Sequence, residues 1–277
     1  MHSIPLSLQA ADKTCLKIFL LVQGIVHAFV LTIMREMNKF LPLLLFFSAS
    51  FISAYAQTKR NIFADVTGTI GTSQGSAALS YVHNWKLWEQ KKWEAGLGVR
   101  WTTYFGTKKD FVTAPARLAR SSTIPFVIVF AGQETQNWDT STVQRPLINA
   151  LNLSSNFGYN FSMRWYAGFN IDLIGVSFGR NTSSILTSNG ATTTEPSTKP
   201  SAFNLLLTGD NDKGTLNSEF FLKYKINNSL GIKATYQFLF TEYKTTSIKQ
   251  IAPDGTTVDR FRNKVNAFGI GISYNLK

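Results

Sequence analysis

Cysteine, histidine and charge are all scarce in this chain of 277 residues. Its single cysteine, Cys15, excludes a disulfide framework and any cysteine-based zinc site, because both need several thiols. Of its three histidines, His2 and His27 fall in the first 56 residues, which leaves His83 as the one imidazole beyond them. Charged residues make up 16% of the chain, well below the roughly one quarter usual in soluble domains. The mean hydropathy of −0.02 excludes a bundle of membrane helices, and 44% hydrophobic residues with 13% aromatics exclude a disordered polar chain. What is present is Thr, Asn, Gly and Phe, with 28 Lys and Arg against 16 Asp and Glu for a net +12. That composition suits an all-β chain, and the length allows one large domain.

The N-terminal region reads as an address. Met37-Asn38-Lys39, the apolar run Phe40 to Ile52 and the small residues of Ser53-Ala54-Tyr55-Ala56 form the pattern of a secretory signal peptide over 37–56, cleaved before Gln57. Residues 1–36 hold a second apolar stretch, Leu16 to Met34, interrupted by Lys17, Gln23 and His27. They read as a mis-assigned start or an anchoring extension. Cys15 follows Asp12-Lys13-Thr14, not the small apolar box of a lipoprotein. The folded domain is expected over 57–277, exported by the signal peptide.

Beyond Gln57 the sequence alternates with a period of two, the signature of β-strands with two unlike faces. Trp93, Ala95, Leu97, Val99, Trp101, Thr103 and Phe105 stand on one parity, and Glu94, Gly96, Gly98, Arg100, Thr102 and Tyr104 on the other. The pattern recurs over Leu216 to Ile226, Leu230 to Phe240 and Phe268 to Leu276, and over Leu147 to Tyr159 and Trp165 to Leu173. Ile62 to Ile70 and Ala77 to Trp85 keep it more weakly. Eight strands follow. A soluble β-sandwich also alternates, but with strands of about five or six residues and charge on the outer face. Here the strands have the length of about 9–11 residues that a lipid-spanning strand needs, and the apolar parity is the unbroken one.

The connections agree with an up-and-down transmembrane antiparallel β-barrel. Gln90-Lys91-Lys92, Asn160 to Met163 and Asn227-Asn228-Ser229 are tight turns, whereas the links near 106–142, 179–213 and 244–262 are long, as expected of periplasmic turns and extracellular loops. Trp85, Trp88, Trp93, Phe161, Trp165, Tyr166, Tyr224 and Tyr274 gather at the turn side, where an aromatic girdle marks a membrane boundary. Thr182 to Ser201 reads as a flexible solvated loop. The run Ile124 to Phe130 is too short, with Pro125, to cross a membrane and is assigned to a strand extension or hairpin above it; ten strands would require it plus an unseen partner.

On Ala54-Tyr55-Ala56/Gln57, Ala150-Leu151-Asn152-Leu153, Gly158-Tyr159-Asn160-Phe161, Ala167-Gly168-Phe169-Asn170-Ile171-Asp172 and the alternating last strand, the chain from Gln57 to Lys277 resembles the small eight-stranded outer-membrane barrels of the OmpA/OmpX type, and more closely the outer-membrane β-barrel family of Bacteroidota. The resemblance implies an outer-membrane location, lipid and lipopolysaccharide as surroundings, the barrel-assembly machinery as partner during biogenesis, and no cofactor.

Eight strands leave a lumen that side chains can fill. Asp65, Glu94, Arg100, Asp172, Glu219, Lys223 and Lys233 share the inward parity and must pair there, because an unpaired buried charge is costly. They are expected to form a structural plug, Arg100 finding carboxylates among Glu94, Asp172, Glu219 and Asp65. Lys108, Lys109, Arg117, Arg120, Lys244, Lys249, Arg260 and Arg262 in the long links are expected to face lipopolysaccharide phosphates; in a soluble protein they would suggest nucleic acid, which the topology disfavours. His83 lies on the lipid parity, and Ser76 and Ser80 have no evident carboxylate, so no catalytic set, and no metal-ligand spacing, is expected. The function expected is non-enzymatic, in envelope structure or surface interaction by a monomer. The alternatives are a narrow solute channel and a lipid-modifying enzyme dependent on His83. Mass spectrometry of outer-membrane material is expected to find Gln57 as the first residue; peptides from Leu16 to Met34 would restore the anchored extension.

Overall fold

The computed structural model describes residues 60–276 apart from Glu89, Lys91 and Asn189. The signal peptide, the segment 1–36 and the cleavage junction lie outside the described residues. Eight long strands carry the architecture: β1 (Arg60–Gly71), β2 (Gln74–Leu87), β3 (Trp93–Gly106), β6 (Leu147–Asn160), β7 (Trp165–Gly179), β11 (Leu216–Lys225), β12 (Leu230–Thr245) and β15 (Arg260–Asn275). Seven further strands, of two to ten residues, accompany them: β4 (Lys108–Thr113), β5 (Thr140–Gln144), β8 (Thr182–Ser188), β9 (Ala191–Pro200), β10 (Phe203–Leu205), β13 (Gln250–Ile251) and β14 (Thr257–Val258). The described chain is therefore all-β and antiparallel, with more strands than the eight expected.

The ladders of the long strands run β1–β2–β3–β6–β7–β11–β12–β15 and return to β1, so each has a partner on both sides. Closure removes the unpaired strand edge that an open sheet would expose. One irregularity interrupts it, a shift in the β6–β7 register at Leu153/Ser154 that switches the outward residues of β7 from odd to even numbers. A second circuit shares two of the strands. The last residues of β12 pair with β9 and the first of β15 with β4, and β9–β8–β5–β4 closes the path. At the loop end the ring thus narrows to six strands, β1 and β2 having ended at the two-residue turn Thr72-Ser73.

The faces of the two parts are opposite in polarity. In the ring of eight, Val66, Leu79, Val99, Leu153, Phe220, Ile232 and Ile270 point outward and are 40–78% exposed, while Thr67, Ser80, Arg100, Ser154, Glu219 and Lys233 are buried inside. In the ring of six, Phe111, Val143, Leu186, Tyr243 and Phe261 are buried inside with Tyr104, Ile148, Leu239 and Val265, whereas Lys108, Asp110 and Gln144 point out. The inversion happens along single strands. On β12 the inward series passes from Lys233, Thr235 and Gln237 to Leu239 and Tyr243, and the outward series from Tyr236, Phe238 and Phe240 to Glu242.

Two expectations fail here. Residues 182–200 form the hairpin β8–β9, not a solvated loop: the β-branched Thr residues favour extended backbone, and Ser184, Thr198 and Glu195 turn inward. Ile124 to Phe130 forms no strand. It bends into a single 3₁₀ turn at Val127–Val129, with Phe126 in the left-handed region at φ 66° and only Ile128 buried. Phe261 is fully buried where β15 joins the narrow ring, so Phe261→Ala is expected to cost about 3–5 kcal/mol through the cavity it leaves, read as a lowered urea midpoint. An unchanged midpoint would show that the narrow ring is not packed.

Candidate functional site: the filled lumen

The alternation that made the charged parity visible also stacks it. Asp65 on β1, Glu94 and Arg100 on β3, Asp172 on β7, Glu219 and Lys223 on β11 and Lys233 on β12 all point into the lumen and are 0–5% exposed. Midway along, Arg100 donates from Nη2 and Nε to Asp172 at 2.6 and 3.0 Å, and its Nη1 lies 3.5 Å from Glu219. Asn170 accepts from Arg100 and donates to Glu219 at 3.1 Å, while Asn152 donates to the other oxygen of Asp172 at 2.7 Å. Lys233 bridges Glu219 at 2.9 Å and Asp65 at 3.2 Å, and Lys223 reaches Asp65 at 2.9 Å. Three cations thus meet three carboxylates. Lys223 also stands 3.2 Å above the centre of the Phe63 ring, a further interaction for a cation removed from water.

Glu94 stands apart from this chain, contrary to the expectation that made it a possible partner of Arg100. It lies toward the turn end, where the amides of Asn61, Asn84 and Asn160 donate to it at 2.7, 3.2 and 2.8 Å. Neutral amides replace an ion pair here. Asn84 also donates to the hydroxyl of Tyr166 at 3.1 Å, so Tyr166 points inward and is 2% exposed, not part of the girdle. Its ring fits because Gly158 lies diagonally across the β6–β7 ladder from it, where a Cβ would overlap the ring. Above the ionic layer, Thr69 and Ser76 both donate to Gln237 at 2.8 Å, and Tyr104, Gln74 and Asn263 form a further set at 2.7–3.0 Å. The apolar residues of the narrow ring then close the column. Near Phe63, Tyr166 and Lys223 the lumen keeps a space of about 10 Å³, the room of a single water.

Sequence reasoning did not assign the asparagines and Gln237 that complete this network. The signal was present, since Asn84, Asn152, Asn170 and Asn217 all fall on inward positions of strands already identified.

The loop cations divide. Lys108 and Lys249 are exposed, and Lys109, partly exposed, donates to the carbonyl of Thr72. Arg117 pairs with Asp254 at 2.7 Å, and Lys244 stands 4.0 Å from Asp259. Arg120, Arg260 and Arg262 do not face outward as expected. Arg262 is 1% exposed and binds Glu242 at 3.1 Å, Arg260 binds Glu242 at 2.6 Å, and Arg120 binds Asp210 together with Lys264. The segment 206–215 supplies Asp210 and the carbonyl of Asp212 and covers these cations, which sequence spacing does not reveal. Burial pushes the Asp212 carboxyl up to about 6, whereas Lys264, Arg120 and Arg262 outweigh burial at Asp210 and hold it below the usual range. His83 lies on the outward parity with its ring 4.8 Å from that of Trp85, and Ser76 and Ser80 lie on the inward one.

Removing Arg100 leaves Asp172 buried without a cation and Glu219 with Lys233 alone, so Arg100→Leu is expected to destabilise the folded chain by about 3–5 kcal/mol in urea titrations in lipid vesicles. Adding Asp172→Asn is expected to restore much of the loss. A silent Arg100→Leu, or no rescue, would show that the lumen is hydrated and not filled.

No protein-family model and no curated protein matches this sequence. Several solved structures are similar in chain course, with low scores. Neisserial surface protein A is 7% identical, with 79% of this chain and 99% of that one covered at a TM-score of 0.32. Ail, the attachment invasion locus protein of Yersinia pestis, is 8% identical over 79% and 97% at 0.31. A major outer membrane protein from Thermus thermophilus is 11% identical over 79% and 100% at 0.35.

Proposed function

We propose that this chain is a small outer-membrane barrel of the OmpA/OmpX type, its ring of eight strands spanning the bilayer and its narrow ring standing outside the cell. Its role is in envelope structure or surface interaction, not catalysis. One observation carries this reading: the outward face and the lumen have exchanged the polarity of a soluble protein. Among the described residues, no Asp, Glu, Lys or Arg stands on the outward parity of the eight long strands between Arg60 at the turn end and Glu242 and Lys264 at the other. Such a band is stable only against hydrocarbon, since exposed apolar patches of this extent are avoided in water. The outward rings of Trp93, Tyr159, Trp165 and Tyr224, packed in pairs near the turns, fit the interfacial girdle on the periplasmic side.

The signal peptide at 37–56 supplies export, and the alternating strand β15 offers the barrel-assembly machinery its substrate. Lipid and lipopolysaccharide are the surroundings, with Lys108, Lys109 and Lys249 facing the phosphates of the latter, and the chain acts as a monomer without cofactor. The ion-paired and amide-bonded lumen supports a plug in preference to a channel. Protein reconstituted in planar bilayers is expected to be electrically silent. Stable, ion-selective conductance steps would replace the plug with a solute channel, and failure of the reconstituted protein to float with vesicles would remove the membrane reading altogether.

A further inference from the structure

The outer wall bends inward where β3 passes into β4 and β5 into β6, and a cleft of about 530 Å³ opens at the bend. Phe105 and Leu147, paired across the ladder, are the last outward apolar residues of their strands and form its lower lip. Above them stand Lys108, Arg145 and Arg180, all exposed. No carboxylate lines the cleft, and none of the three cations lies within ion-pair distance of one among the described residues. This sets them apart from Arg117, Arg120, Arg260, Arg262 and Lys264, which carboxylates neutralise.

The cleft is held in shape. The Gly106 N–H donates to the Pro146 carbonyl at 3.1 Å, the Arg145 N–H donates to the Thr107 carbonyl, and the Arg180 N–H donates to the Leu147 carbonyl at 2.9 Å. Arg180 Nη1 donates to the Arg145 carbonyl at 2.9 Å, which fixes one edge of its guanidinium and leaves the rest turned to the opening. Arg145 adopts φ 47°, a left-handed conformation that a residue with a Cβ holds only at a cost and that often marks a functional position.

We propose that this cleft binds the phosphate of an anionic lipid headgroup, its acyl chain lying along Phe105 and Leu147 toward the apolar band. The assignment rests on the outer-membrane reading, because only there does the end of the band coincide with the headgroup plane. Two guanidinium groups and an ammonium supply the forked, charge-assisted donors that a phosphate takes, and the apolar lip supplies what a free phosphate does not use.

The test uses the full chain folded in zwitterionic detergent and titrated calorimetrically with dioctanoyl phosphatidic acid, dioctanoyl phosphatidylcholine and inorganic phosphate. Phosphatidic acid is expected to bind more tightly than the other two, and Arg145→Gln with Arg180→Gln to weaken it at least about tenfold, while Lys199→Gln, exposed on β9 and outside the cleft, leaves it unchanged. Equal binding by the double variant, or equal binding of phosphatidylcholine, would overturn the proposal. Binding of inorganic phosphate as tight as that of phosphatidic acid would make the ligand a free anion and overturn its lipid part. Lys108→Gln, outside the backbone pinch, repeats the test should the double variant fail to fold, with a smaller loss expected and no loss counting against the cleft. Flotation with vesicles separates the two failures: a protein that floats without binding phosphatidic acid loses the cleft alone, and one that does not float loses the membrane reading.

Discussion

Arg100 is the residue on which the interior of this molecule turns. Its guanidinium reaches Asp172 on β7 and Glu219 on β11, and so ties β3 to two strands that are not its neighbours in the ring. Burying such a group alone costs several kcal/mol, and the cost is met only when each nitrogen has an acceptor, as the Asn170 side chain and the Asn217 carbonyl provide here. Lys233 and Lys223 extend the same logic to Asp65 on β1. The network fixes register as well as charge, because a strand displaced by one residue would send its apolar set inward and strand the ions.

The two rings answer different surroundings with one chain. On the proposed membrane reading, the ring of eight places its charges inside because the outside offers them no water. Where β12 and β15 pass beyond Phe240 and Asn266, the outward parity carries Glu242, Lys264, Arg262 and Arg260, which pair with one another and with the covering segment around Asp210, and the inward parity carries Tyr243 and Phe261. Dropping β1 and β2 at Thr72-Ser73 reduces the circumference, so that aromatic and branched side chains fill the smaller interior.

How much of this was legible depended on whether a strand alternates between apolar and polar residues. Trp93 to Phe105 and Leu230 to Phe240 announce themselves, and their parity alone placed Arg100 and Lys233 inside. Strand β9, Ala191 to Pro200, contains Thr, Glu, Ser, Lys and Pro and buries Glu195 and Thr198, so its period carries no hydrophobic signal. Its sheet position is set by partners more than forty residues away on β12, which no local pattern encodes. The same holds for Arg260 and Arg262. Basic residues in a long link read as solvated until the chain near Asp210 is seen to fold over them.

The point at which polarity inverts also bears on where the molecule meets its surroundings. On β12 and β15 the outward change falls between Phe240 and Glu242 and between Phe268 and Lys264, and on the opposite wall it falls just beyond Phe105 and Leu147. On the first wall the new charges are neutralised by the segment around Asp210, which leaves little for an external anion. On the second, Lys108, Arg145 and Arg180 arrive with no carboxylate to meet them among the described residues. The wall that carries its own counter-ions is therefore electrostatically complete, whereas the wall above Phe105 and Leu147 requires its counter-ions from outside the chain.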